Sequence, residues 1–329
     1  MKVVVTRKIP GKAVEMLKTA GHEVVVNQED RVLTVEELEK FVVGAEGILS
    51  LLTDKITGEV MDAAGKQLKI VANYAVGFDN IDLEAAKARN IYVTNTPGGF
   101  TETVAEHTFA LILAVARRIV EADKYIREGK YKCWEPELLM GTLLYGKHIG
   151  IVGLGRIGSY VAKIAHYGFS MQVLYFSHKP DLQLESEMGA VYCDRLDELL
   201  ASADVVSLHV PLTEETRHMI SKPQLSGMKK SAILVNTARG PVVDEVALIQ
   251  ALSEKWIAGA GLDVFEEETN IDLASSESCV NPELLALPNV VLTPHIASST
   301  IEARAEMSKI AAENIIAALS GQVPENLAK

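Results

Sequence analysis

Cysteine is scarce in this chain. Cys133, Cys193 and Cys279 are odd in number and widely spaced, and they form no Cys-x-x-Cys pair. This pattern argues against a disulfide framework and a cysteine-based zinc site, and it is typical of reduced thiols in a cytoplasmic protein. Because no other cluster of residues has metal-ligand spacing, we expect no bound metal.

Positive charge and long apolar runs are also in short supply. The chain has 32 Lys and Arg against 44 Asp and Glu, a formal net charge of −12, so it lacks the positive field that binds nucleic-acid backbones. The best apolar run, residues 109–116, is too short to span a membrane and continues into Arg117 and Arg118. The run at residues 1–7 is too short for a signal peptide. We expect neither a nucleic-acid nor a membrane partner.

The composition itself is that of an ordinary globular protein, since 48% of the 329 residues are hydrophobic and 23% are charged. The length favours two domains. Short apolar runs alternate with amphipathic segments, which predicts βαβ units and mostly parallel sheets. The predicted strands are 2–6, 23–26, 47–50, 68–72 and 91–94, followed by 148–152, 172–176, 204–210, 232–236, 260–264 and 290–292.

Two helices are predicted outside this alternation. Residues 95–99 favour a turn, and Thr103 with Glu106 fits a capping box ahead of apolar residues at helical spacing. Near the end of the chain, residues 300–319 have a helical pattern that Gly321 stops. We expect this last helix to pack back against the first domain.

A glycine-rich loop begins the second series of strands. It lies between a predicted strand and a predicted helix and reads Gly153, Leu154, Gly155, Arg156, Ile157, Gly158, a G-x-G-x-x-G pattern. In that context the glycines allow a tight turn and close backbone approach, and N–H groups at the helix start can bind a pyrophosphate. Alone, the pattern would also fit a turn that merely closes a strand–helix unit. In its context it predicts a dinucleotide site.

The next strand indicates which dinucleotide binds. It ends in Ser177, His178 and Lys179, where NAD sites usually place a carboxylate for the ribose hydroxyl, and no carboxylate occurs before Asp181. A hydroxyl, an imidazole and an ammonium can instead accept a 2′-phosphate. We therefore expect a preference for NADP(H), with NAD(H) possible. The alternative is a solvated polar turn.

Three later strands end in side chains suited to carbonyl chemistry. Arg239 follows the strand at 232–236, a run of three glutamates follows the next strand, and His295 follows the last. The carboxyl ends of parallel strands share one edge of the sheet, so these groups can meet there. Arg can bind a carboxylate through two hydrogen bonds, and His can act as a general acid. Each also has a simpler interpretation as surface charge or a locally bonded imidazole.

Five motifs in this order resemble the D-isomer-specific 2-hydroxyacid dehydrogenase family, closest to its glyoxylate/hydroxypyruvate reductases. They are residues 73–80, the glycine loop, 236–240, 261–268 and 294–299. The resemblance covers nearly the whole chain and implies an α/β protein of two doubly wound parallel-sheet domains with a cleft between them. The implied domains are a flavodoxin-like substrate domain at 1–99 plus 289–329 and a Rossmann coenzyme domain at 100–288.

The resemblance also implies roles for individual residues. His295 would protonate the carbonyl oxygen, Glu268 would hold its imidazole, and Arg239 would bind the substrate carboxylate and polarise the keto oxygen. The same carboxylate would be seated by Leu52, Val76 and Gly77. Coenzyme contacts are implied at Thr103, the glycine loop, Ser177, His178, Lys179, Pro211, Thr216, Thr237, Ala238 and Asp263, the last toward the nicotinamide carboxamide.

Some features depart from the family pattern or stay open. The phosphite-oxidising branch carries Lys where this chain has Val76, and the spacer at 269–278 is longer than in many reductases, with Thr269 in place of the usual Pro. Trp134 is either a contact to a neighbouring subunit's site, as in related reductases, or a core or interface aromatic.

We therefore expect an enzyme that reduces a small 2-keto acid, such as glyoxylate or hydroxypyruvate, with NAD(P)H. A homodimer is the family expectation. One alternative is an NAD-dependent D-lactate or D-glycerate dehydrogenase, against which the Ser177 segment argues. Another is a non-enzymatic NAD(H)-sensing corepressor-like module, which the complete set of Arg239, Glu268 and His295 disfavours.

Overall fold

The computed structural model describes residues 1–98, 101–268 and 278–328 and divides into two compact units. The first unit contains residues 1–98 and 299–328, and the second contains residues 101–268 and 278–298. Residues 269–277 of the spacer lie outside the described residues. None of the helices in the described part combines the length and apolar character that crossing a membrane requires.

The first unit is built on a five-stranded parallel sheet in the order β2-β1-β3-β4-β5. Its strands are β1 Lys2–Val5, β2 Glu23–Val26, β3 Gly47–Ser50, β4 Ile70–Asn73 and β5 Tyr92–Thr94. Its helices are α1 Ala13–Thr19, α2 Val35–Val42, α3 Gly58–Ala64, α4 Leu83–Ala88 and, from the end of the chain, α13 Ile301–Leu319. This strand order is the flavodoxin-like one.

Both faces of this sheet are covered. Along β1, Val3 and Val5 belong to a core cluster with α1 and α13, whereas Val4 belongs to a cluster with α2 and α3. Successive side chains of a strand point to opposite faces, so an uninterrupted apolar strand needs helices on both sides. The apolar run, which has no alternating polar residues, therefore predicted β1.

Helix α13 packs against the first unit, as the sequence predicts. Thr300 caps it by accepting a hydrogen bond from the Ala303 N–H at 3.2 Å. The Ser308 hydroxyl accepts from the Ala13 N–H at the start of α1 at 2.9 Å. Helix α13 therefore packs in the same hydrophobic core as β1 and α1.

The second unit contains a seven-stranded parallel sheet in the order β12-β11-β10-β9-β6-β7-β8. Its strands are β6 His148–Val152, β7 Gln172–Phe176, β8 Val191–Tyr192, β9 Val205–Leu208, β10 Ile233–Asn236, β11 Gly259–Leu262 and β12 Val290–Leu292. Its α-helices are α5 Thr101–Ala116, α6 Ile119–Arg127, α7 Arg156–Lys163, α8 Leu182–Met188, α9 Leu196–Ser202, α10 Lys222–Gly227, α11 Glu245–Ser253 and α12 Pro282–Leu285. The strand order reverses between β6 and β9, where doubly wound sheets bind ligands.

The predicted fold class, two parallel-sheet α/β domains of which one is a Rossmann domain, is confirmed. The strand expected at 290–292 pairs with β11, so residues 289–298 belong to the second unit rather than the first, where we expected them. Strand β8 was not predicted, because two residues are too few to form a recognisable pattern.

The capping box predicted at Thr103 is wrong. Helix α5 begins at Thr101, so Thr103 lies in its first turn, whereas a capping residue must have non-helical dihedral angles. The helical spacing predicted to continue to Ile119 is also broken. Arg118 has a left-handed backbone, with φ of 53°, and separates α5 from α6.

Candidate active site

The loop that carries Arg239 follows β10 and is fixed by Asn236. The Asn236 side-chain oxygen accepts from the Ala238 N–H at 3.0 Å, and its amide donates to the Arg239 carbonyl at 2.8 Å. The Arg239 guanidinium donates from Nη1 to the Ala238 carbonyl at 2.8 Å. A buried strand end therefore holds the backbone on both sides of the half-buried arginine.

Gly240 presses this loop against the loop that follows β11. A Cβ at Gly240 would lie 1.9 Å from the Phe265 carbonyl oxygen and 2.5 Å from the Glu266 nitrogen, so only glycine allows this approach. The glutamate run is thereby held beside the Arg239 loop.

Of the three glutamates, it is Glu268 that contacts His295. Its Oε1 lies 3.0 Å from Nδ1 of His295, and the Phe265 N–H donates to its Oε2 at 3.4 Å. Glu266 instead pairs with His218 at 2.6 Å, and Glu267 is exposed. A carboxylate at Nδ1 orients the imidazole and leaves Nε2 to meet a substrate.

The backbone of His295 is left-handed, with φ of 52°, which is rare for a residue other than glycine. Asp263 holds it there. The Asp263 carbonyl accepts from the His295 N–H at 2.8 Å, and its carboxylate accepts from the N–H groups of Ile296 and Ala297 at 2.9 and 2.8 Å. Strain of this kind persists where surrounding bonds over-determine it, and it clusters at active sites.

Asp263 is completely buried, and its side chain also accepts from the Thr293 hydroxyl at 2.5 Å. Burial raises the pKa of this carboxyl, but hydrogen bonds from His107, Thr293, Ile296 and Ala297 outweigh burial and hold the pKa below its usual value. The carboxylate is thus ionised and engaged within its own unit. The expected contact to a nicotinamide carboxamide remains a prediction.

The glycine loop has the geometry of a pyrophosphate cradle. Gly153 has φ of 95°, and a Cβ there would lie 2.7 Å from the His209 carbonyl oxygen, while one at Gly158 would lie 2.1 Å from the Gly153 oxygen. A Cβ at Gly155, by contrast, would meet nothing within 4 Å. The outer glycines thus serve the turn and the helix packing. The open space at the middle one, at the start of α7, fits a dinucleotide phosphate.

Ser177, His178 and Lys179 follow β7, the strand next to β6. The Ser177 hydroxyl donates to the Lys179 carbonyl at 2.6 Å, and both His178 and Lys179 are exposed. Asp181, the nearest carboxylate along the chain, accepts from the Leu184 N–H at 3.0 Å and so caps α8. The Asp181 carboxylate is therefore engaged as the cap of α8.

Several of the other predicted coenzyme residues follow strands of the same sheet. Pro211 follows β9, and its carbonyl accepts from the Thr216 hydroxyl at 2.6 Å. Thr237 and Ala238 follow β10, and the Thr237 hydroxyl lies 3.0 Å from that of Thr108 on α5. Thr103 lies in the first turn of α5, one turn before His107 and Thr108, and the Thr108 hydroxyl contacts Thr237.

The predicted substrate residues Leu52, Val76 and Gly77 lie in the first unit, where they follow β3 and β4. Two asparagines that sequence analysis did not assign connect these loops. Asn80 donates to the Leu51 carbonyl at 3.0 Å, and Asn73 donates to the Gly77 carbonyl at 2.9 Å. The two side chains also bond to each other at 2.9 Å.

These contacts engage the carbonyl groups of the Val76–Gly77 loop. Asn95 donates to the Val76 carbonyl at 2.6 Å. Within residues 1–98, 101–268 and 278–328, the N–H groups of Val76 and Gly77 have no hydrogen-bond partner. Two adjacent free N–H groups of this kind suit an anion. In the sequence, these contacts were indicated only by the position of Asn73 and Asn80 in the motif at residues 73–80.

Comparison with known proteins assigns the family. A model described as D-isomer specific 2-hydroxyacid dehydrogenase, NAD binding domain, matches residues 109–297. The chain is 49% identical to a glyoxylate reductase of Korarchaeum cryptofilum, over 99% of this chain and 95% of that protein. The chain belongs to the D-isomer-specific 2-hydroxyacid dehydrogenase family. The resemblance inferred from the five motifs is confirmed.

Solved structures of other proteins extend this assignment. A protein of Thermus thermophilus has a TM-score of 0.89 and 45% identity, with both chains fully covered. An NADPH-dependent glyoxylate/hydroxypyruvate reductase of Sinorhizobium meliloti, solved with NADP and malonate, has a TM-score of 0.82 and 31% identity, over 99% of this chain and 96% of that one. The chain is thus an oxidoreductase of the 2-hydroxyacid dehydrogenase family with a Rossmann NAD-binding domain.

Proposed function

We propose that this 2-hydroxyacid dehydrogenase reduces a small 2-keto acid of the glyoxylate or hydroxypyruvate type to the 2-hydroxy acid. The observation that carries the proposal is the hydrogen bond of 3.0 Å between His295 and Glu268, at strand ends next to that of Arg239. The relatives named as glyoxylate reductases support the substrate class.

Each of the active-site side chains has a separate role in the proposed reaction. Arg239 binds the substrate carboxylate and polarises the keto oxygen, since a guanidinium offers paired donors to oxygen. His295, protonated and oriented by Glu268, donates a proton from Nε2 to the carbonyl oxygen as negative charge develops there. The reduced nicotinamide, when bound, supplies the hydride. Asp263 keeps the His295 loop in place throughout.

We further propose that the N–H groups of Val76 and Gly77 bind the substrate carboxylate, with Leu52 as a neighbouring contact. The free N–H groups of this loop support that role. Because the bonding groups belong to the main chain, the side chain of residue 76 is free to vary, and Val76 need not weaken carboxylate binding.

The test is a steady-state assay of coenzyme oxidation with glyoxylate, hydroxypyruvate, pyruvate and phosphohydroxypyruvate. We expect the highest kcat/KM for one of the first two substrates. A higher kcat/KM for pyruvate or the phosphorylated acid would overturn the substrate class in favour of a lactate or glycerate type. Absence of turnover with every keto acid, together with tight NADH binding, would favour the corepressor-like alternative.

We propose NADP(H) as the preferred coenzyme. The exposed Lys179 and His178, and the commitment of Asp181 to α8, support this choice because they leave cationic groups and no carboxylate at the end of β7. The kcat/KM values for NADPH and NADH with the same keto acid test it. A higher value for NADH would overturn it.

We also propose a homodimer. Large apolar side chains are exposed on the segment from α6 to the start of β6, including Ile119 at 54%, Trp134 at 77% and Leu143 at 70%. Exposed apolar area of this kind is typical of a subunit interface. Light scattering after size exclusion should give twice the mass of one chain, and a monomer would refute the proposal. A lower kcat for Trp134→Ala with the dimer intact would show that Trp134 reaches the neighbouring subunit's site.

A cytoplasmic location is proposed on the state of the thiols. Cys133, Cys193 and Cys279 are all free, and two of them are exposed, which suits a reducing compartment. Fractionation of the producing cells tests this, and recovery outside the cytoplasm would contradict it.

A further inference from the structure

We propose that His107, on α5, is a positioning residue for the reaction. It acts through Asp263 and Thr293 to hold the strained loop that presents His295. This role rests on the function proposed above, in which His295 donates the proton.

The need for such a residue follows from the His295 backbone. A left-handed conformation, with φ of 52°, is uncommon for residues other than glycine and persists where surrounding bonds hold it. Three of those bonds come from Asp263, through its carbonyl to the His295 N–H and through its carboxylate to the next two N–H groups. The position of the general acid therefore depends on the orientation of one buried carboxylate.

His107 reaches that carboxylate from a separate helix. Its Nε2 lies 2.9 Å from the Thr293 hydroxyl oxygen and 3.3 Å from Oδ1 of Asp263. Its side chain is 18% exposed and that of Asp263 is completely buried. Among the described residues, no hydrogen bond or ion pair joins His107 to His295 or Glu268, so its polar link to the acid passes through Asp263 and Thr293.

The donors and acceptors of Asp263 and Thr293 determine whether Nε2 of His107 donates or accepts a hydrogen bond. Asp263 is ionised and can only accept, so the single proton of the Thr293 hydroxyl is donated to it, at 2.5 Å. The hydroxyl oxygen then has only lone pairs to offer His107. Nε2 must therefore carry a proton and donate it, shared between Thr293 and Asp263. His107 thus supplies a donor that fixes the orientation of both groups.

This inventory predicts which substitutions are tolerated. His107→Gln keeps a side-chain N–H donor, whereas His107→Leu keeps comparable volume and removes the donor. We expect His107→Leu to lower kcat at least ~10-fold, because a misplaced catalytic group costs rate even when binding persists. The KM for NADPH should stay within about twofold of wild type, and His107→Gln should recover most of the lost kcat.

Thr293 provides a second pair of variants and His166 a matched control. Thr293→Val should lower kcat as His107→Leu does, and Thr293→Ser should not. His166→Leu makes the same change in the same unit, and it should leave kcat unchanged, because among the described residues the His166 ring makes an edge contact with the exposed Tyr167 and no hydrogen bond. Thermal unfolding of each variant separates loss of activity from loss of folded protein.

Steady-state kinetics of these variants beside His295→Ala decide the matter. Low kcat in both His295→Ala and His107→Leu, with recovery in His107→Gln, supports the positioning role. Full activity in His107→Leu with low activity in His295→Ala overturns that role alone. Equal loss in the Leu and Gln variants also overturns it, because a purely structural requirement for the ring explains that result. Full activity in His295→Ala overturns the proposed function, and the role of His107 with it.

Discussion

Gly240 lies so close to Phe265 that a Cβ on the glycine would come within 1.9 Å of the phenylalanine's carbonyl oxygen. This backbone approach sets the Arg239 loop against the loop of Glu268. We predict that Gly240→Ala forces the two loops apart and lowers kcat/KM by roughly 10²-fold, because small displacements of catalytic groups cost rate. Steady-state kinetics measure the effect.

Gly227→Ala is the matched control for this substitution. A Cβ at Gly227, the last residue of α10, would meet nothing within 4 Å. This variant should keep wild-type kinetics. Wild-type kcat/KM in Gly240→Ala would show that the contact does not position the site.

Arg239→Lys tests the proposed binding of the substrate carboxylate. Lysine keeps the charge but cannot present two parallel donors, so we predict a loss in kcat/KM of about 10- to 100-fold, carried mainly by the KM for the keto acid. Arg195→Lys, on an exposed side chain whose ion pairs with Asp197 and Glu198 measure 4.0 and 3.9 Å, should leave kcat and KM unchanged. A near-normal KM in Arg239→Lys would contradict the binding role.

Ser177→Asp tests the choice of coenzyme. A carboxylate at the end of β7 repels a 2′-phosphate and accepts from a ribose hydroxyl. We predict that the ratio of kcat/KM for NADPH to that for NADH falls at least ~10-fold. Ser226→Asp, at an exposed position on α10, should leave the ratio unchanged. An unchanged ratio in Ser177→Asp would show that this segment does not select the coenzyme.

From the environment of His209 we predict that the free energy of unfolding is sensitive to acid. Burial lowers the pKa of His209 from 6.5 to about 3, and its Nε2 lies 2.8 Å from the Ser207 hydroxyl oxygen. Between these pH values the unfolded chain binds a proton that the folded chain does not, so the free energy of unfolding decreases as the pH falls.

Urea unfolding of the wild type and His209→Gln, between about pH 7 and pH 4, measures this contribution. The wild type should lose more stability than the variant over that range. Parallel losses in the two proteins would show that His209 does not contribute.

The sequence was most informative where a local pattern coincided with a structural requirement. Strands such as β6 and β7 were predicted to the residue, because strands covered on both faces must be apolar throughout. The edge strand β8 was missed. The start of α5 was predicted too late, because it depends on backbone dihedral angles, and the sequence does not show which of the nearby threonines is the first helical residue.

The site shows the same division. Arg239, a glutamate and His295 could be predicted at one edge because parallel strands deliver their ends there, and the family resemblance singled out Glu268 among the three glutamates. His107 could not, since the Thr293 that it contacts is 186 residues away along the chain and nothing local marks the pair. The bond between Asn80 and the Leu51 carbonyl is likewise a contact between distant segments, across 29 residues.

In the proposed reaction His295, oriented by Glu268, supplies the proton when the keto acid is reduced. Single-turnover oxidation of saturating bound NADPH by glyoxylate, in the wild type and in His295→Ala, tests it most directly. We expect a rate lower by ~10²–10⁴-fold in the variant, with NADPH affinity unchanged. An equal rate in the two proteins would contradict it.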